Sequence, residues 1–207
     1  MKNIFDQHWR RYDAWYEKHR FAYLSEVEAI KNVLPKKGKG LEIGVGTGRF
    51  ASALGISDGI DPSIKMAKVA KGRGINVKIG NGEALPYKDG EFDFSLIAIT
   101  ICFVEEPEKV ISEANRALKD KGKIILAIVD KDSFLGKFYQ QKKSTFYKEA
   151  NFFSVKEAAT LLREAGFNKF SFHQTIFNLP EEVKTIQIPI KGYGKGGFVV
   201  ISGYKRS

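Results

Sequence analysis

The sequence predicts an α/β protein built on a largely parallel sheet, and three observations carry that prediction. Short apolar runs at 40–45, 56–60, 75–79, 92–99 and 122–129 alternate with helix-like stretches at about 48–54, 63–71 and 106–118, the pattern of consecutive βαβ units. The run "FDFSLIAITI" has few polar interruptions, as a strand covered on both faces at the sheet centre requires. Third, "KGLEIGVGTGRF", residues 39–50, passes from an apolar run into Gly44, Gly46 and Gly48 and then into a helix-like mix. Such a turn lets the backbone approach a ligand closely and aims free helix N–H groups at it.

The other elements follow in order. Phe5, Trp9, Tyr12, Tyr16, Tyr23, Val27, Ile30 and Leu34 are spaced mostly by three and four and stop at Pro35, which predicts one helix or a bent helix pair. Glu106-Pro107 opens a helix with an acid and a first-turn proline. Residues 130–151 show no clear period but carry Phe134, Phe138, Tyr139, Phe146 and Tyr147. Ser154 and Glu157 form a capping box for a helix that Gly166 stops. Strands at about 167–176 and 197–204 frame a connection containing Pro180, Pro189 and several glycines. The organisation expected is one domain, 1–207, with an N-terminal helical cover (1–35), a core (36–130), an aromatic-rich insertion (130–153) and a C-terminal helix and strands (154–207).

Composition narrows the function classes. An apolar share of 43% and a charged share of 28% are those of a globular protein. The longest weakly polar run, 95–104, is half of the ~20 residues that span a bilayer, and "MKNIFDQHWRR" lacks the apolar core of a signal peptide. Cys102, the single cysteine, offers no disulfide framework and no thiolate cluster for zinc. These points predict a cytoplasmic protein with no membrane segment and no metal. The net charge of +10 raises the prospect of nucleic acid. The basic residues are scattered in small groups such as Lys36-Lys37-Lys39 and Lys142-Lys143, so a solvated surface is the preferred reading.

The glycine turn fits neither pyrophosphate pattern. The dinucleotide fingerprint needs a third glycine where Arg49 stands, and no Gly-x-x-x-x-Gly-Lys-Ser/Thr string occurs. A carboxylate, Glu42, precedes the first glycine by two residues; beside phosphate it is unfavourable, beside a cationic ligand favourable. Asp61, in "GIDPS", ends the second run, where it either accepts both hydroxyls of a ribose or caps the following helix, or both. Met66, four residues on from Pro62, lies against an adenine face or packs in the core. Asn81 and Glu83 follow the third run, and Thr100 and Ile101 follow the fourth. All four segments meet outside the carboxyl ends of the strands, where open α/β sheets bind ligands.

"LEIGVGTG", "GIDPS", "GNGEALPYKDGEFD" and "EANRALKDKGKIIL", in this order and spacing, resemble the class I S-adenosylmethionine-dependent methyltransferases. The closest resemblance is to the small-molecule branch related to the ubiquinone and menaquinone enzymes, over roughly residues 10–130. The resemblance implies a Rossmann-like, doubly wound, mostly parallel seven-stranded sheet with one antiparallel strand near the C-terminus and helices on both faces. It implies S-adenosylmethionine as cofactor, with Glu42, Gly44 and Gly46 around its methionine and ribose part and Asp61 on the ribose diol. Met66 would take the adenine face, Asn81, Gly82 and Glu83 the adenine edge, and Tyr12 would close over the cofactor. Two positions depart from the family: "ITICFVEEP" lacks the histidine common after strand four, and Asn81 replaces the commoner Asp.

Methyl transfer from a sulfonium needs alignment above all, and a base only when the nucleophile arrives protonated. No catalytic base is nominated: His19 reads as a partly exposed helix residue, His8 and His173 as structural or surface. Phe134, Phe138, Tyr139, Phe146 and Tyr147 either line an acceptor pocket or make the insertion's own contacts. The expected acceptor is a small molecule, and the expected state is monomer or homodimer. The rival readings are an RNA or protein methyltransferase and a cofactor-binding protein without transferase activity.

Overall fold

The computed structural model describes residues 2–142 and 144–206; Lys143, read above as part of a basic pair, lies outside them. Two helices, α1 (Lys2–Lys18) and α2 (Arg20–Lys31), precede the sheet. β1 (Gly40–Ile43), α3 (Arg49–Leu54), β2 (Asp58–Asp61), α4 (Ile64–Gly72) and β3 (Asn76–Ile79) form the first half. β4 (Phe92–Ala98), α5 (Pro107–Ala117) and β5 (Leu118–Val129) continue it. α6 (Phe134–Gln141), α7 (Val155–Glu164), β6 (Phe167–Thr175), β7 (Ile190–Lys191) and β8 (Phe198–Lys205) complete the chain.

The strand order is β3-β2-β1-β4-β5-β8-β6-β7. β3, β2, β1, β4 and β5 run parallel, whereas β8 is antiparallel to both β5 and β6. The direction of winding therefore reverses between β1 and β4, the switch point at which such sheets bind ligands. β4 explains the two-sided apolar run. Leu96 and Ala98 face one core with α2, α3 and α4, and Ile97 faces the other with α5 and α7, the period of two that a strand imposes.

The structure adds an eighth strand to the seven expected: β7, two residues long, pairs with β6 at the sheet edge. It also gives residues 130–153 regular structure, with α6 and a 3-10 turn at Tyr147–Glu149. The helix is too short to display a period, and it is started by Ser133, whose side chain accepts the Gly136 N–H. The capping box at Ser154 and Glu157 is present in both directions. The N-terminal segment is the bent pair, broken at His19 (φ −112, ψ 44).

α1 is fastened across the cofactor side of the sheet by charge. The Asp13 carboxylate accepts from Arg49 Nε (2.9 Å) and Nη2 (2.6 Å) and from Arg73 Nη1 (3.0 Å) and Nη2 (2.9 Å). Despite burial, these two guanidinium groups hold its carboxyl well below the usual carboxylate range. Asp6 adds a second tie, accepting from the Ser63 hydroxyl and from the Lys65 N–H at 3.2 Å. Replacing Asp13 by Ala leaves two part-buried arginines without their shared acceptor and should cost on the order of 2 kcal/mol. The expected result is a lower Tm and faster proteolytic release of residues 1–18. Lys31→Ala, at an ion pair whose lysine is 64% exposed, should change neither.

Candidate functional site

The glycine turn and the end of β2 are one hydrogen-bonded unit. The Gly46 N–H donates to Asp61 Oδ2 (2.8 Å) and the Ser63 N–H donates to Asp61 Oδ1 (2.8 Å). Asp61 is thus not the cap of α4. Ser63 takes that role, its hydroxyl accepting the Met66 N–H at 3.2 Å. Burial pushes the Asp61 carboxyl up to about 6, against the pull of these two N–H groups. Gly44 (φ 73°) cannot carry a side chain, because a Cβ there would lie 2.2 Å from Thr100 Cγ2. The Thr100 hydroxyl donates to the Gly44 carbonyl at 3.2 Å, joining the end of β4 to the turn.

Around this unit lies a cleft of about 480 Å³. Tyr12, Gly44, Gly46, Asp61, Pro62, Met66, Asn81, Gly82, Glu83 and Thr100 all line it, as the sequence reading expects. Glu42 and Ile101 stand behind the wall instead, each 1% exposed. Burial, reinforced by the charge of Asp61, raises the Glu42 carboxyl well above its ordinary value, and its Oε2 has no hydrogen-bond partner. The sequence reading missed Phe5, Ser63, Ile99 and Phe103, which also line the cleft. Phe5 begins the aromatic spacing of α1 and Ser63 belongs to "GIDPS", so both carried a signal. Ile99 carried none: its left-handed backbone (φ 57°) is strained for a β-branched residue, and strain of this kind gathers at functional sites.

The cover is aromatic. Tyr12 stands 3.6 Å from the place a Gly46 Cβ would occupy, and its hydroxyl is 2.7 Å from that of Tyr16. Phe5 stacks on Phe146 at 5.5 Å and meets Phe103 edge-on at 5.0 Å, so Phe146 belongs to the roof. Tyr139 and Tyr147 stack on each other at 4.3 Å, with Phe138 tilted against Tyr139 at 5.7 Å. Phe134 is 38% exposed and does not line the cleft. His19 is not partly exposed but 7% exposed, packed against Trp15 at 4.9 Å, and does not line the cleft. Glu105 and Glu106 also line it, and Glu106, at the N-cap of α5, makes no side-chain capping bond.

A strand-order switch point with a carboxylate-braced glycine turn and an aromatic roof defines a doubly wound cofactor-binding protein. Comparison with known proteins takes this further. A family model described as a methyltransferase domain matches residues 41–126. A protein of Methanocaldococcus jannaschii is 52% identical over 98% of this chain and 99% of its own length. A crystal structure from Thermotoga maritima, described as a SAM-dependent methyltransferase and possible histamine N-methyltransferase, is 50% identical, with each chain covered in full and a TM-score of 0.97. A demethylmenaquinone methyltransferase of the same organism is 27% identical over 74% of this chain and 79% of its own. The chain belongs to the S-adenosylmethionine-dependent methyltransferases.

The residues present fit that cofactor. The Asp61 carboxylate, on the cleft lining, keeps lone pairs beyond the two in use, and the Gly44 and Gly46 backbone lies open to a ligand beside it. Among the described residues no cluster of His, Cys, Asp or Glu could hold a metal ion, and no helix is long and apolar enough to cross a membrane.

The raised pKa of Asp61 has two consequences of opposite sign. Its folded value of about 6 exceeds the unfolded value of ~3.9, so the native state holds a proton that the unfolded chain releases between those limits. This group therefore lowers stability as pH rises through the window. Cofactor binding that uses the ionised carboxylate runs the other way. Calorimetric titrations with S-adenosylhomocysteine should show affinity falling towards tenfold per pH unit below about 6. Asp61→Asn should bind weakly and without that slope.

Proposed function

We propose that the protein moves the methyl group of S-adenosylmethionine to a small molecule held under the aromatic cover, the whole of 1–207 acting as one domain in the cytoplasm. The observation that carries this reading is the braced turn. Gly46 and Ser63 fix Asp61 at the mouth of β2, and Met66, Asn81 and Tyr12 line the same cleft. In this reading Gly44 and Gly46 hold the methionine part, with Glu42 behind them rather than in the cleft, and Asp61 holds the ribose diol. Pro62 and Met66 take the adenine face, while Asn81, Gly82 and Glu83 take the adenine edge. Thr100 and Ile101 support the turn from β4, and Tyr12 closes over the bound cofactor. A bound cofactor supplies an already activated methyl. What the chain contributes is alignment, on the order of 7–11 kcal/mol in favourable cases, and exclusion of water by Phe5, Phe103 and Phe146. The basic surface supports a small acceptor over RNA, because several of its cations are already matched. Lys39 pairs with Glu91, Arg116 with Glu113 and Lys119 with Asp93. The description of the Thermotoga maritima relative as a possible histamine N-methyltransferase favours nitrogen as the atom methylated.

Calorimetry should show both S-adenosylmethionine and its demethylated product binding, with Asp61→Ala weakened at least tenfold. Failure of the wild type to bind either would overturn the reading. With methyl-labelled cofactor, label should then appear in a pool of small metabolites and not in bulk RNA.

A further inference from the structure

The chain entering and leaving β7 carries a concentrated apolar surface. Of the large apolar side chains exposed among the described residues, Ile186, Ile188, Ile190 and Tyr193 all fall within 186–193, and Ile188 is 81% exposed. Apolar area clustered in water marks a contact surface. Gln187 shows why two of these side chains stay outside. Its N–H donates to Ser25 Oγ of α2 at 2.8 Å, and its Oε1 accepts the Phe177 N–H at 2.8 Å. An extended chain alternates its side chains, so with Gln187 turned to the protein, Ile186 and Ile188 turn out.

The same stretch is basic. Residues 183–206 contain Lys184, Lys191, Lys195, Lys205 and Arg206 and no aspartate or glutamate. Lys184, Lys191 and Lys195 are exposed, and none of the three is in an ion pair among the described residues. They differ in this from Lys39 and Lys119, whose charges are matched.

The edge itself selects what covers this patch. A further strand is opposed by the backbone. The Gly192 N–H donates to the Phe172 carbonyl at 2.9 Å, which turns Ile190 and Gly192 to β6 and the backbone of Pro189 and Lys191 outwards. Pro189 has no N–H to give and Lys191 adds a charge, two devices that stop an edge from pairing. A second copy is opposed by charge, because a two-fold contact sets the same patch against itself and brings unmatched lysines together. An anionic lipid surface meets neither objection. It asks for no backbone hydrogen bonds, takes apolar side chains into its headgroup boundary and attracts the cations beside them. Tyrosine suits that boundary, and Tyr193 is steadied there by Phe172 at 5.2 Å.

The patch also lies at the ligand-binding end of the sheet. Ile190 pairs with Gln174; the next residue, Thr175, pairs with Phe198, which pairs with Val129 at the carboxyl end of β5. We propose that Ile186, Ile188, Ile190 and Tyr193, with the lysines beside them, dock the protein on a membrane surface carrying anionic lipid, the carboxyl end of the sheet close to the bilayer. The contact is peripheral and needs no spanning helix. It goes beyond the methyltransferase reading and does not rest on it.

The test is flotation with vesicles of phosphatidylcholine alone and of phosphatidylcholine and phosphatidylglycerol in equal parts. Wild type should bind the mixed vesicles about tenfold or more tightly than the neutral ones, and less tightly as salt rises. Ile188→Glu should lose about tenfold or more in that binding, and Lys191→Gln about fivefold, both keeping the wild-type Tm and affinity for S-adenosylhomocysteine. The proposal is overturned if wild type ignores the mixed vesicles or binds both kinds equally, or if Ile188→Glu and Lys191→Gln both bind as wild type does. It is also overturned if wild type is a dimer in gel filtration that Ile188→Glu makes monomeric, which would assign the patch to a second copy. Loss of vesicle binding with S-adenosylhomocysteine still bound leaves the methyltransferase reading standing.

Discussion

The carboxylate of Asp61 accepts two backbone N–H groups, one from the glycine turn after β1 and one from the turn after β2. The two turns belong to neighbouring parallel strands and would otherwise be independent loops. Held by one buried side chain, they become a single rigid floor. The arrangement also tunes the group that makes it. Burial favours the neutral acid while the two N–H groups favour the anion, and the balance leaves a carboxyl pushed up to about 6. Glu42 behind it is driven towards the neutral form by burial above all, with the charge of Asp61 adding to it.

The cover depends on the floor through a second electrostatic link. Arg49 occupies the position where a dinucleotide-binding turn would have its third glycine, and on sequence it counted only against that pattern. In the fold its guanidinium reaches up to Asp13 and Glu17 of α1. Arg73, at the end of α4, reaches the same aspartate and also the carbonyl of Thr47 within the turn. The residue that rules out a pyrophosphate cradle is the one that ties a lid to the turn. These ties are only part-buried, so solvent screens them more than it would a buried pair.

Much of the fold and of the cofactor side was legible in sequence because local rules dictate it. A strand covered on both faces must be apolar throughout, a turn crossing beneath Thr100 must be glycine, and Ser154 with Glu157 must start a helix. The same rules gave no warning of Ile99, whose strained backbone is imposed by the elements around it. They also could not separate Phe134 from Phe146. Both are aromatic residues of one insertion, yet the first faces outwards and the second meets Phe5 across the roof.

Sequence alone determined the alternation of strands and helices, the order in which four loops reach one sheet edge, and the carboxylates and glycines that suit a sulfonium cofactor. These follow from period, turn chemistry and charge, which are properties of neighbours along the chain. Only the tertiary structure decided that Asp61 braces the turn and leaves the cap of α4 to Ser63, that Arg49 and Arg73 share Asp13, and that Phe146 of the insertion meets Phe5 of α1. Each of these joins residues many positions apart, and burial sets their energies. Burial exists only once the helices have packed on the sheet.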